Sequence, residues 1–164
     1  MPALKRKILR VKIYLMRHGP AEDEAASGKD GDRALTPAGR DRVRLVAREL
    51  IHRGKTPHAV LSSPLVRARQ TAEILMQEAG LGAAALELRN ELAMTGHAAA
   101  LLREVVAAKR KRVVLVGHEP ELSSLVFELT GTSLIMQKAM IVAISCKADG
   151  RTELKFVIDP RRAS

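Results

Sequence analysis

The chain has 164 residues, 46% hydrophobic and 28% charged, enough for one soluble domain with a substantial core. Aromatic residues make up 2%, with one Tyr, two Phe and no Trp, which counts against a single-stranded nucleic-acid module built on stacking platforms. A single cysteine, Cys146, excludes an internal disulfide, and no run approaches the roughly 18 apolar residues that cross a bilayer.

The net charge is +10, and half of it comes from Lys5, Arg6, Lys7, Arg10 and Lys12. Residues 1–10 therefore read as a basic arm ahead of a single domain over 11–160. Such an arm suits nucleic acid, an acidic protein or a membrane surface, or it is a solvated tail that aids solubility. No cleavage-like site follows it, so a secretory signal is not expected and a cytoplasmic, reducing location is.

Val11 to Met16 is an apolar run that reads as a strand, ending at Arg17-His18-Gly19. A polar stretch from Pro20 to Leu35 follows, long enough to be a functional loop. Thr36 and Pro37 then form a cap and first turn for a helix in which Val43, Val46, Ala47, Leu50 and Ile51 keep helical spacing as far as Gly54. Arg40, Arg44 and Arg48 fall on its outer face. A second strand is expected over His58–Ser62, and Ser63-Pro64 reads as the opening of a second helix, with Leu65, Ala68, Ala72, Leu75 and Ala79 as its buried stripe and Gly80 as its stop.

A short strand near Leu86–Leu88 leads through Arg89-Asn90-Glu91 to a helix carrying Leu101, Leu102, Val105 and Val106. Val113–Val116 is wholly apolar, the pattern of a central strand covered on both faces. Gly117-His118-Glu119-Pro120 follows, and Leu122, Leu125, Val126 and Leu129 mark a fourth helix. Met140–Cys146 and Thr152–Ile158 read as strands joined at Ala148-Asp149-Gly150. Strands alternating with helices give an α/β three-layer sandwich, with a mostly parallel central sheet flanked by helices.

In open α/β sheets ligands bind beyond the carboxyl ends of the strands. Arg17-His18, Ser62-Ser63 and Gly117-His118 all occupy such ends, and Arg67 lies one turn into the helix after the second. Two histidines and two arginines converging there make a site for a phosphate dianion, because guanidinium pairs its N–H groups with phosphate oxygens and stays charged. Helix starts expected near Ser63 and Glu119 add favourable dipoles. Neighbouring cations are expected to lower the pKa of His18 and keep its imidazole neutral and nucleophilic.

Three segments carry a family resemblance: Leu15-Met16-Arg17-His18-Gly19, the run from Ser62 to Ala72 (Ser-Ser-Pro-Leu-Val-Arg-Ala-Arg-Gln-Thr-Ala), and Val116-Gly117-His118. Together with Leu35-Thr36-Pro37-Ala38-Gly39 they resemble the histidine phosphatase superfamily, in family order over roughly residues 11 to 130. The short chain and Gly117-His118-Glu119-Pro120-Glu121-Leu122 are similar to its SixA-type branch, whose members remove phosphate from phosphohistidine on proteins. The resemblance implies His18 as the nucleophile that forms a covalent phosphohistidine. It implies Arg17, Arg67 and His118 as the residues that bind the phosphoryl oxygens and stabilise the transition state. No metal and no cofactor is implied.

The general acid is less defined. Family members acting on phosphate esters use a carboxylate near Glu91, and Glu22 and Asp23 are competitors. A phosphohistidine substrate relaxes this need, because its leaving nitrogen can be protonated before departure. His52, His58 and His97 read as structural, and Met76, Met136 and Met140 as core filler. Arg33 and Arg69 lie within reach of the site or on the surface. Little sequence separates the second helix from the third strand, or that strand from its helix. No large cap insertion is therefore expected, and an open site suits a phosphorylated side chain on a protein. The alternatives are a phosphatase of a small phosphorylated metabolite, or a non-catalytic phosphate-recognising adaptor.

Overall fold

The computed structural model describes residues 10–94 and 97–163. The expected basic arm lies outside them except for Arg10, which opens the first strand. The elements follow in the order β1 (Arg10–Arg17), α1 (Pro37–His52), β2 (Ala59–Ser62), α2 (Val66–Ala79), β3 (Leu86–Leu88), α3 (Ala98–Ala107), β4 (Arg112–Gly117), α4 (Glu121–Thr130), β5 (Ile141–Lys147) and β6 (Thr152–Ile158). Short 3-10 turns cover Asp30–Asp32, Ala83–Ala85 and Asn90–Leu92.

The six strands form one sheet in the order β3-β2-β4-β1-β5-β6. β3, β2, β4 and β1 pair in parallel, whereas β5 runs antiparallel to β1 and β6 antiparallel to β5. β1 and β4 are thus interior strands, and their alternating side chains feed two cores. Ile13, Leu15, Val113 and Leu115 face α3 and α4, meeting Leu101, Leu102, Leu122 and Val126. Tyr14, Met16, Val114 and Val116 face α1 and α2, meeting Val43, Val46, Leu50, Ala72 and Leu75. This is the expected three-layer arrangement. Residues 80–85 and 89–97 are the only links on either side of β3, so no large cap is inserted there.

α1 starts as its sequence dictates: Thr36 is extended at φ −70° and ψ 160°, and its Oγ1 accepts from the Gly39 amide at 2.9 Å. α2 does not. Pro64 holds Ser63 out of the helical region, the Leu65 amide donates to the Ser63 hydroxyl at 3.2 Å, and the helix begins only at Val66. Leu65 and Ala79 are accordingly half-buried, and the buried face runs through Arg67, Ala68, Thr71, Ala72 and Leu75. α4 likewise begins at Glu121 and not at Glu119. No helix among the described residues is long and apolar enough to cross a membrane.

Candidate active site

The parallel strands end together, and main-chain hydrogen bonds continue their ladders into the loops. The His18 amide donates to Gly117 O at 3.2 Å, Ser63 N to Val116 O at 3.0 Å, and Arg89 N to Ser62 O at 2.8 Å. On the other side of β1, Ala139 N donates to His18 O at 3.0 Å. The three polar strand ends are therefore fixed against one another, and the rings of His18 and His118 lie 5.2 Å apart with a tilt of 51°. Both are buried, at 6% and 3% exposure.

His18 Nδ1 lies 2.7 Å from Gly19 O. A carbonyl can only accept, so Nδ1 carries the proton and Nε2 keeps its lone pair. Burial is the main reason that the His18 pKa falls to about 3; the Gly19 carbonyl opposes the shift, and His118, Arg67 and Arg17 add to it. The cations anticipated from the sequence thus act behind desolvation. His118 falls to about 4, again chiefly through burial and then Arg67. Its Nε2 lies 2.8 Å from Ser63 Oγ, which already accepts from Leu65 N. Ser63 Oγ keeps one proton to give and one lone pair to receive with, so it can serve His118 Nε2 in either tautomer.

Arg17 Nη1 donates to Met136 O at 3.0 Å, and burial lowers its pKa. Arg67, 3% exposed, donates through Nη1 to Asp30 O at 3.1 Å and through Nη2 to the Asp30 carboxylate at 3.2 Å. Among the described residues, Arg17 Nε, Arg67 Nε and His118 Nδ1 are each buried without a partner, an arrangement that costs free energy unless an acceptor arrives. A tetrahedral oxyanion supplies such acceptors.

The α2 segment explains its own residue pattern. Gln70 Oε1 accepts from Leu35 N at 2.8 Å, and Thr71 Oγ1 accepts from Gly19 N at 3.0 Å while donating to Arg67 O at 2.8 Å. Ala68 and Ala72 are fully buried, letting α2 approach the sheet closely enough for these bonds. A Cβ on Gly19 would lie 2.5 Å from Val43 Cγ2, and one on Gly39 would lie 2.0 Å from Pro20 O. Both glycines are required by close packing of α1 against the chain that leaves His18.

The sequence model of the histidine phosphatase superfamily (branch 1) matches residues 13–97, more than half of the chain. The chain belongs to the histidine phosphatase superfamily. It is 36% identical to phosphohistidine phosphatase SixA of Escherichia coli (strain K12) over 159 residues, covering 92% of this chain and 94% of the relative. It is 39% identical over 139 residues to an uncharacterized protein of Picosynechococcus sp., covering 82% and 84% of the two chains. The structure of protein histidine phosphatase SixA complexed with tungstate superposes with a TM-score of 0.83 at 28% identity, over 92% of this chain and 98% of that one. A mycobacterial glucosyl-3-phosphoglycerate phosphatase shares the fold, with a TM-score of 0.66 at 19% identity, over 89% of this chain and 97% of its own. The protein is therefore a phosphatase of the SixA type.

Within this histidine phosphatase, Arg17, His18, Arg67 and His118 come together, and Glu91 is engaged elsewhere. Both Glu91 oxygens accept from Arg89, at 3.0 and 3.3 Å, and these bonds lower its pKa. Glu22 and Asp23 are exposed. Arg33 bonds Asp30 at 2.9 Å and Glu22 O at 2.9 Å, and Arg69 pairs with Glu73 at 3.5 Å. His52, His58 and His97 are exposed, and Met76, Met136 and Met140 are buried in the cores. Sequence reasoning missed Ser63 as the partner of His118, Thr71 as the anchor of Gly19, and Asp30 on Arg67. A hydroxyl next to a strand end and a threonine one turn after Arg67 were the available signals. Asp30 had none, because the path of a 16-residue polar stretch from Pro20 to Leu35 is not encoded in its spacing.

Proposed function

We propose that the protein hydrolyses the phosphorus–nitrogen bond of a phosphohistidine on another protein, through a covalent phosphohistidine on His18. The observation that supports this best is that, among the described residues, His18 Nε2 and three buried nitrogens on Arg17, Arg67 and His118 have no hydrogen-bond partner. The likeness to Escherichia coli phosphohistidine phosphatase SixA favours phosphohistidine as the donor.

In the proposed reaction the Nε2 lone pair attacks phosphorus in line. The substrate phosphorus–nitrogen bond breaks, and its electron pair leaves on an imidazole nitrogen protonated from solvent. Arg17, Arg67 and the His118 Nδ1 proton bind the three equatorial oxygens and meet the charge that develops there. Water then attacks the phosphoryl group, the bond to Nε2 breaks, and inorganic phosphate leaves with His18 restored. The two guanidinium groups supply the positive charge, so activity is expected to persist in a chelator. Glu91, ionised against Arg89, takes no part in releasing a phosphohistidine. Glu91→Gln should spare phosphohistidine turnover; loss of that turnover in folded protein would reject this assignment. The free, buried Cys146 suits a reducing, cytoplasmic location. Deleting residues 1–10 should leave small-substrate turnover intact if the basic arm only recruits an acidic partner.

The deciding experiment is trapping with labelled phosphohistidine protein and, separately, labelled small phosphate esters. Acid-labile label on His18 and phosphate release from the protein donor are expected, with no label on His18→Ala. Turnover of esters alone would point to a small metabolite instead. Absence of label and release with every donor, in folded protein, would point to a phosphate-recognising adaptor.

A further inference from the structure

A groove of about 430 Å³ opens beside His118, between α3 and α4. Its α4 wall is one helical stripe, Glu121, Leu125 and Glu128, at spacings of four and three residues. Ala99 on α3 faces it, and Met94 lies at the end next to the phosphate pocket. The groove and that pocket share a boundary: His118 lines both, and Met94 Sδ is 3.8 Å from Arg67 Nη2. Whatever occupies the groove is therefore attached close to the phosphoryl group.

Its chemistry departs from that of the protein as a whole. The chain carries +10, yet the groove presents carboxylates over an apolar floor. Their availability differs. Glu119 is consumed by the first turn of α4, where it accepts from Ser123 N at 2.9 Å and from the Ser123 hydroxyl. Glu121 gives one oxygen to Ala98 N at 2.7 Å. Glu128 is exposed and has no partner among the described residues. Leu125 is 3% exposed and forms the floor with half-buried Ala99, whereas Met94 is 63% exposed and, with its Sδ held against Arg67, presents the rest of its side chain to a ligand.

We infer that this groove selects the polypeptide that delivers the phosphohistidine, taking an apolar side chain onto Leu125 and Ala99 and a neighbouring Lys or Arg onto Glu128 and the free oxygen of Glu121. Charge complementarity favours this occupant: a phosphate carrier with acidic flanks meets repulsion here, while a cationic flank meets two carboxylates. The inference rests on the phosphohistidine reading above and adds which carriers are accepted.

The test compares phosphoramidate, too small to reach the groove, with two phosphohistidine peptides. One peptide flanks the phosphohistidine with Leu and Lys, the other with Ser and Glu. The native protein should favour the Leu/Lys peptide by at least about tenfold in kcat/KM, the scale set by one apolar contact in a pocket. Glu128→Lys should abolish or reverse the preference through KM. Ala99→Phe, which fills the groove, should slow the Leu/Lys peptide alone. Both variants should keep native phosphoramidate turnover, which also shows that they fold. Equal use of the two peptides, or a preference that survives both variants, overturns the inference while leaving the phosphatase reading intact. Loss of phosphoramidate and peptide turnover in the folded native protein overturns both.

Discussion

Gly39→Ala sets two effects against each other, and the structure decides the sign. Alanine is a better helix former than glycine by up to about 1 kcal/mol, so propensity alone predicts a more stable protein. A Cβ at position 39, however, would stand 2.0 Å from Pro20 O and 3.0 Å from Thr36 Oγ1. Carbon–oxygen contacts settle near 3.3 Å, so the Pro20 carbonyl has to retreat by about 1.3 Å. That retreat breaks the bond from Thr36 N, now 3.1 Å, and crowds the cap that Thr36 makes to the Gly39 amide. Overpacking costs about 1–3 kcal/mol and a lost main-chain bond about 1 kcal/mol, leaving a net loss of roughly 1–3 kcal/mol after the propensity gain. For a domain of this size the melting temperature should drop by roughly 2–10 °C. Pro20 is two residues from His18, so kcat should also fall by about tenfold or more. Circular-dichroism melting and turnover of phosphoramidate read both effects. Gly82→Ala is the control, since a Cβ there meets nothing within 4 Å and φ is −76°; it should be neutral or slightly stabilising. A Gly39→Ala protein that melts no lower than native and turns over normally would refute contact between α1 and the chain leaving His18.

Stability should decline with acidity in a defined window. His18 and His118 titrate near 3 and 4 in the folded protein against 6.5 when unfolded. Between about pH 6.5 and 3 the unfolded chain binds more protons, so stability is complete above that range and falls by several kcal/mol through it; a flat urea-midpoint profile from pH 8 to 4 would contradict the buried neutral pair. Ser63→Ala removes the partner of His118 Nε2 and should cut kcat about tenfold while raising the His118 pKa seen by ring NMR, with Ser63→Thr restoring both. Unchanged kcat and pKa in the alanine variant would remove Ser63 as a positioning residue. Asp30→Asn weakens the competitor on Arg67. Because the Asp30 side chain is 63% exposed the pair is weak, and inorganic phosphate should bind up to about fivefold more tightly by calorimetry. Weaker phosphate binding would show that Asp30 helps build the pocket.

The sheet was legible because its inner strands are short, apolar runs closed by polar residues, and Val113–Val116 could be covered on both faces only in the middle. Arg17, His18, Arg67 and His118 were legible because each closes or follows a strand or opens the next helix, which topology alone sends to one edge. The start of α2 was misplaced, since a serine followed by proline signals a cap, whereas here Ser63 turns its hydroxyl to His118 and delays the helix to Val66. The Asp30–Arg67 pair and the Gly19–Thr71 bond depend on how a loop and a helix dock in three dimensions, which periodicity does not encode.

The main chain of His18 is bonded on both sides, to Gly117 and to Ala139, within a sheet whose strands also carry both cores. Its amide should exchange with solvent only when the whole sheet opens, at the global unfolding free energy. The segment between Pro20 and Leu35 has no strand or long helix, and most of its bonds, among them Arg33 to Asp30 and to Glu22 O and Ser27 to Asp32, join exposed groups. Deuterium should enter it long before it reaches His18. On that expectation the residue that would carry the phosphoryl group opens last, and the chain bearing Asp30 opens before it. Mutations in that segment can alter access to the pocket without loosening the nucleophile.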